Sequence, residues 1–128
     1  MTKNEKKHLN EIGKIYTKPW GYYKTLIIDQ KYQVKLITII PGGKLSLQKH
    51  RHRFEHWVIV KGVLKVTKGE EVNTKKENDY VYIEKEEVHR LENEANTNAE
   101  LIEIQYGDYL GEDDIVRIDD QYGRITKK

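Results

Sequence analysis

The stretch GGKLSLQKHRHRFEHWVIVKG, residues 42–62, holds three of the chain's five histidines, His50, His52 and His56, within seven positions. Successive side chains of a strand alternate faces, so Gln48 and His50, two apart, leave the same side and can converge on one point. His52 shares their parity. Glu55 stands at an odd separation from His50, and a regular strand would send it to the other face, so a turn or bulge is expected over residues 51–54. Beyond it, Glu55, Trp57 and Ile59 share one face and His56, Val58 and Val60 the other, until Gly62 ends the run. The reading is two short strands joined near a polar cluster, with Glu55 turned inward to meet Gln48 and His50.

Working outward, the same grammar recurs. Residues 22–29 (YYKTLIID) and 33–40 (QVKLITII) are β-branched and aromatic runs separated by turn-like residues, and Pro41-Gly42-Gly43 breaks the second. Residues 63–69 (VLKVTKG) alternate apolar and polar positions as a half-buried strand does. Residues 80–83 form another short strand, and 88–92 one that carries His89 and Arg90. In residues 99–107 (AELIEIQYG), Ile102, Ile104 and Tyr106 point one way and Glu103 and Gln105 the other, which predicts an antiparallel strand whose dry face is the isoleucine side. Residues 1–17 are lysine-rich with scattered apolar positions and read as a flexible tail, leaving 18–128 as one domain. The acidic end has room for one short helix beginning near Asp113. No segment keeps a helical period over three turns, and about eight short strands predict an all-β barrel. Two similar halves, around His50 and around His89, fit a jelly roll.

Composition narrows the chemistry. The 128 residues suit one core, with 37% hydrophobic and 34% charged residues and a formal net charge of +2 spread along the chain. Nothing in that charge marks a nucleic-acid surface. Cysteine is absent, so any metal must be held by nitrogen and oxygen. The lysine-rich start has no apolar signal core, and no run approaches membrane-spanning length, so a cytoplasmic protein is expected.

In a barrel, one histidine-bearing strand from each half brings His50 and His89 together with Gln48 and Glu55. Two imidazole nitrogens and two side-chain oxygens suit a divalent cation, with zinc expected ahead of manganese, iron, cobalt or nickel. Read singly, each histidine of the stretch fits a polar surface turn better than a ligand position, and only the four ligand types at coordinated spacings favour the site; His8 reads as a solvated tail residue.

The pattern Gly42-x5-Gln48-x-His50-x4-Glu55-x6-Gly62 resembles the first cupin motif, with glutamine at its first histidine position. Asn78-x5-Glu84-x-Glu86-x2-His89-x3-Asn93 resembles the second. More narrowly, Lys18-Pro19-Trp20-Gly21, Pro41-Gly42-x2-Leu45-Ser46-Leu47-Gln48-x-His50, Arg53-x-Glu55-His56-Trp57, His89-Arg90-Leu91-Glu92-Asn93 and the run from Tyr109 to Arg117 resemble the type II mannose-6-phosphate isomerase domain, over about residues 18–124. In that family the domain commonly follows a mannose-1-phosphate guanylyltransferase domain. These 128 residues contain no Gly-rich nucleotide loop, so nucleotidyl transfer is not expected of them. Arg51 stands where the family usually has histidine, and Glu84 and Glu86 where it has proline and glycine.

The resemblance implies a cupin double-stranded β-helix that interconverts mannose 6-phosphate and fructose 6-phosphate through an enediol. Such a reaction needs a cation at the C1 and C2 oxygens, a base for a carbon-bound proton and a grip on the phosphate. Gln48, His50, Glu55 and His89 answer the first need. For the base, His52 ranks first by parity, ahead of Lys44 and the carboxylates of residues 112–114. Arg53 and Arg90, next to ligands in sequence, lead the phosphate candidates, followed by Arg117, with Arg124 and Lys44 behind. Trp57 is assigned to the core. A non-catalytic sugar or sugar-nucleotide binding cupin, and an isomerase or epimerase of another sugar, are the alternatives. A homodimer is expected, because small sandwiches leave sheet edges to cover.

Overall fold

The computed structural model describes residues 8–125. Eleven strands and no helix occur among them: β1 (Ile15–Lys18), β2 (Gly21–Ile28), β3 (Tyr32–Ile39), β4 (Leu47–Lys49), β5 (Arg53–Lys61), β6 (Val63–Lys68), β7 (Glu71–Lys76), β8 (Tyr80–Ile83), β9 (His89–Glu92), β10 (Ala99–Gly107) and β11 (Val116–Asp119). They form two antiparallel sheets, one in the order β1-β2-β3-β10-β5-β8 and the other β11-β4-β9-β6-β7. Consecutive strands alternate between sheets at β4, β5 and β6 and again at β8, β9 and β10, the weave of a double-stranded β-helix. The expected cupin jelly roll is the fold of this chain.

Register explains how one barrel holds both a dry core and a polar cavity. Across β3, β10, β5 and β8, the inward rows run Gln33/Gln105/Glu55/Ile83, then Lys35/Glu103/Trp57/Val81, then Ile37/Leu101/Ile59. Polar residues thus line one end of the inner wall and aliphatic ones the other. The aliphatic end joins Leu64, Val66, Leu91, Ala99 and Ile39 in the core. Burying this apolar surface supplies the main folding drive, at roughly 25 cal/mol per Å2.

Three local expectations are corrected. In β10 the dry face is on the outside: Glu103 and Gln105 are buried, whereas Ile104 and Tyr106 are 40% and 47% exposed. Alternation was right and its polarity was reversed, because the barrel interior at this level is the polar cavity wall. The tail over residues 1–17 lies partly outside the described residues, but residues 8–17 are structured: β1 pairs with β2, and Asn10 is buried between Gln33, Tyr23 and Glu112. The helix near Asp113 is replaced by turns, with Asp114 N–H donating to the Gly111 carbonyl and Ile115 N–H to the Asp113 carbonyl, before β11 begins. The segment between β10 and β11 is instead tied side chain by side chain to the barrel, Asp114 to the Arg51 and His52 backbone N–H groups and Glu112 to Lys35.

Candidate metal centre

The turn expected after His50 is tight: β4 ends at Lys49, β5 starts at Arg53, and only residues 50–52 lie between. Asp114 pins it, its two carboxylate oxygens accepting the Arg51 and His52 backbone N–H groups at 2.9 and 3.0 Å. Gly107 faces Arg53 across the sheet, where an added Cβ would run into the His52 carbonyl, so glycine is required for this close approach. The turn moves the chain from one sheet to the other, and Glu55 now faces His50 across the barrel. Odd spacing is thereby reconciled with a shared site.

His50, Glu55 and His89 are all buried, and their ligand atoms lie within 4.8 Å of one another. His50 Nε2 is 3.2 Å from Glu55 Oε2, and His89 Nε2 is 3.8 Å from Glu55 Oε1. Each imidazole is oriented from behind: His50 Nδ1 bonds the Asp114 carbonyl at 2.6 Å and His89 Nδ1 the Glu87 carbonyl at 2.8 Å. A carbonyl only accepts, so each Nδ1 carries the proton and each Nε2 lone pair points inward. Burial, then the Arg53 charge, lowers the His50 pKa to about 3, and burial lowers that of His89, so both rings are neutral and ready to ligate near neutral pH. Gln48 lies opposite His89 on the neighbouring strand. Its amide nitrogen donates to Ser46 Oγ at 3.0 Å, which leaves Oε1 as the donor atom for a cation.

Glu55 is held by more than sequence reasoning found. Arg53 reaches its Oε2 through Nε at 2.9 Å and Nη2 at 2.8 Å. The Trp57 indole N–H is shared between Glu55 Oε1 and Glu103 Oε1, each at 3.0 Å. Trp57 is core, as expected, and it also aims a ligand. Burial opposes ionisation of Glu55, but His50, Arg53 and His89 outweigh it and hold the carboxyl well below its ordinary range. Its neighbour Glu103 goes the other way, raised to about 8 by burial and by the Glu55 charge. The donor set of two imidazoles, one carboxylate and one amide oxygen fits a divalent cation of the nitrogen and oxygen accepting class.

The remaining candidates separate. Arg90, Arg117 and Arg124 line the same cavity as the ligands, and so do Lys18 and Lys35. Arg117 stands beside Gln48 in the sheet, and burial followed by the charge of Arg124 lowers its pKa, the sign of crowded guanidinium groups. Arg90 donates to the Leu45 carbonyl and to Asp119, and Arg124 to Asp120. Arg53 belongs to the ligand cluster. The structure does not bring His52 or Lys44 to the cavity. His52 is exposed, edge-on to Tyr109 at 6.1 Å, because parity lapses inside a turn. Lys44 pairs with Glu92 at 3.3 Å. Sequence reasoning missed Lys35, which is 4% exposed, 2.7 Å from Glu112 and 4.1 Å from the centre of the Tyr23 ring. Burial opposes ionisation of Glu112, and Lys35 and Arg53 overcome it, lowering its pKa to about 2. The only sequence signal for Lys35 was its alternation with Gln33 and Ile37.

Comparison with known proteins gives the family and supports the fold. Residues 3–120 match the family model described as mannose-6-phosphate isomerase C-terminal. The xanthan biosynthesis protein XanB of Xanthomonas campestris pv. campestris is 53% identical over 111 residues, which cover 87% of this chain and 24% of that protein. The mannose-1-phosphate guanylyltransferase ManC of Salmonella typhimurium is 43% identical over 123 residues, 96% of this chain and 26% of that protein. The chain therefore spans about a quarter of the length of these relatives. Among solved structures, a Klebsiella pneumoniae protein with a double-stranded β-helix domain superposes with a TM-score of 0.67 at 14% identity, covering 90% of this chain and 88% of that one.

Proposed function

This chain belongs to the mannose-6-phosphate isomerase C-terminal family, and from that premise we propose that it is a metal-dependent isomerase interconverting mannose 6-phosphate and fructose 6-phosphate. The observation that carries the reading is the convergence of His50, Glu55 and His89, with Gln48 beside them, in a cavity that also exposes arginine and lysine side chains. Gln48, His50, Glu55 and His89 would hold the cation, which when bound polarises the sugar oxygens at C1 and C2. Zinc is the first expectation on ligand chemistry.

Charge on the cavity wall supports the rest. Arg117, with Arg90 and Arg124, receives the phosphate, since guanidinium groups match phosphate oxygens in geometry and charge. We assign the proton transfer to Glu112. Of the three carboxylates on the wall, Glu55 is a ligand and Glu103 is bonded to Trp57 and Gln105. Glu112 uses Oε2 to accept from Lys35 and Asn10, which leaves Oε1 for a carbon-bound proton. Its carboxylate takes that proton from C2 and returns it at C1, while the proton of the C2 hydroxyl passes to the C1 oxygen, so that the aldehyde becomes an alcohol and C2 a ketone. While Lys35 bonds Glu112 the carboxylate is a weak base, and as the ammonium turns to a substrate oxygen the carboxylate strengthens and the developing oxyanion gains a donor.

A coupled assay with mannose 6-phosphate, run with and without chelator, tests the reading. Turnover should vanish on chelation, return with metal, and fall by about a hundredfold or more in Glu112→Gln with metal binding retained. Metal bound with no turnover of this substrate sinks it, and saturable sugar-phosphate binding without product would assign the cavity to binding alone.

A further inference from the structure

We propose that Asn10 is a positioning residue for Glu112, and that the segment before β1 serves to deliver this one side chain to the cavity wall. The proposal rests on the reading of Glu112 as the group that carries the proton. The segment itself is the first observation. Asn10 is 8% exposed, whereas residues 11–15 all lie exposed, Ile12 at 63% and Ile15 at 60%. A strap packed for apolar contact would bury its isoleucines. This one buries an amide and leaves them outside. Its anchors are polar as well: Gly13 N–H donates to the Thr25 carbonyl at 2.9 Å, and Glu11 N–H donates to the hydroxyl of Tyr16, whose ring stacks on Tyr23.

The Asn10 amide fits in one orientation only. Nδ2 donates to Glu112 Oε2 at 3.0 Å and to Gln33 Oε1 at 3.1 Å, and Oδ1 accepts from the Tyr23 hydroxyl at 2.7 Å. Burial, then the Glu112 charge, raises the Tyr23 pKa, so that hydroxyl keeps its proton and stays a donor. Gln33 is fixed in turn, because its Nε2 donates to Gln105 Oε1 and its own Oε1 is left for Asn10. A flipped Asn10 amide would set its oxygen against two acceptors. Glu112 needs such a brace, since it stands in the turns between β10 and β11 and not on a strand. The same segment grips its main chain, the Glu112 N–H donating to the His8 carbonyl at 2.9 Å. Lys35 also bonds Oε2, but in the proposed reaction its ammonium turns to a substrate oxygen. Asn10 then remains on Oε2 and keeps Oε1 for the reacting carbon. As a neutral donor it depresses the basicity of the carboxylate less than a cation does.

Asn10→Asp keeps the shape of the side chain and turns the donor into an acceptor. The new carboxylate would face Glu112, the Tyr23 hydroxyl of β2 and Gln33 of β3, with the Lys35 and Arg53 charges acting on Glu112 beside it. At neutral pH, kcat for mannose 6-phosphate should fall by about tenfold or more while KM stays within about twofold. As pH drops through about 6 to 4 the new carboxyl takes up a proton and donates to Glu112 again, so the ratio of variant to native kcat should climb back toward one. A ratio of one at every pH overturns the proposal, because Asn10 then only fills space, and a ratio that stays low at every pH overturns it equally. A second measurement needs neither turnover nor a folded Asn10→Asp. The Asn10 side-chain amide protons should exchange slowly with solvent in the native chain and about tenfold faster in Glu112→Ala. Fast exchange in the native chain overturns the proposal by itself. Protected amide protons in a native chain that converts no mannose 6-phosphate would uphold the placement of Glu112 and sink its part in proton transfer, so the two readings fail separately.

Discussion

Glu55 reaches the ligand cluster because Arg51 and His52 spend their conformations on a turn that Asp114 fixes with two hydrogen bonds. Its odd spacing from His50 was enough to announce that turn. The same spacing rule misled for His52, since parity has meaning only in a strand and His52 is a turn residue. Trp57 shows what a sequence cannot show: its burial was legible, but the indole N–H bridging two carboxylates needs the paired strand β10, distant in sequence, where Glu103 lies opposite it. Replacing it by phenylalanine keeps the ring packing and removes the donor. Trp57→Phe should weaken metal binding by about 10- to 100-fold with a far smaller loss of stability. Competition against a chromophoric chelator measures this, and unchanged affinity would mean that the indole only fills space. The departure at Glu86 is a strained one: the residue adopts φ 65, the left-handed region where the family's glycine is at ease and a glutamate is not.

At the scale of the element, β10 carries the lesson. Alternation of Ile102, Ile104 and Tyr106 with Glu103 and Gln105 fixes a strand but not which side faces in, because a polar cavity and bulk water both accept carboxylates. Only the partners decide, and Glu103 lies opposite Lys35 on one side and Trp57 on the other. Its environment gives a pH signature for the chelated protein. Glu103 is raised from the ordinary carboxylate value of 4.5 to about 8, so the folded chain binds the extra proton and this contribution is lost as pH climbs through that window. His50 is lowered from 6.5 to about 3, so its contribution is present above 6.5 and lost as pH falls toward 3. Glu112, lowered from 4.5 to about 2, adds to the loss on the acid side below 4.5. Denaturant unfolding should therefore show stability declining from pH 6.5 toward 8 as well as in acid. Glu103→Gln should abolish the alkaline decline and leave the acid one, and a decline that survives the substitution would contradict the assignment.

For the molecule as a whole, the fold was legible from punctuation: short strands, Gly and Pro breaks, and two halves each carrying a histidine motif. The N-terminal segment and the turn-rich stretch after Tyr109 were not, because Asn10 and Glu112 are structured only through contacts with residues far away in the chain, Gln33 and Lys35 among them. Lys35 and Glu112 line the same cavity as the candidate ligands. The candidate ligands stand at motif spacings, whereas Lys35 carries no motif and becomes visible only when the barrel closes. The central claim is that this closed barrel joins a four-ligand cation site to sugar-phosphate isomerisation. Titrating the metal-free protein with a divalent cation, while following bound metal and conversion of mannose 6-phosphate together, tests it most directly. Turnover should rise in step with occupancy to one equivalent per chain, and His89→Ala should neither bind nor convert. Full occupancy without conversion, or conversion indifferent to chelator, would contradict the account.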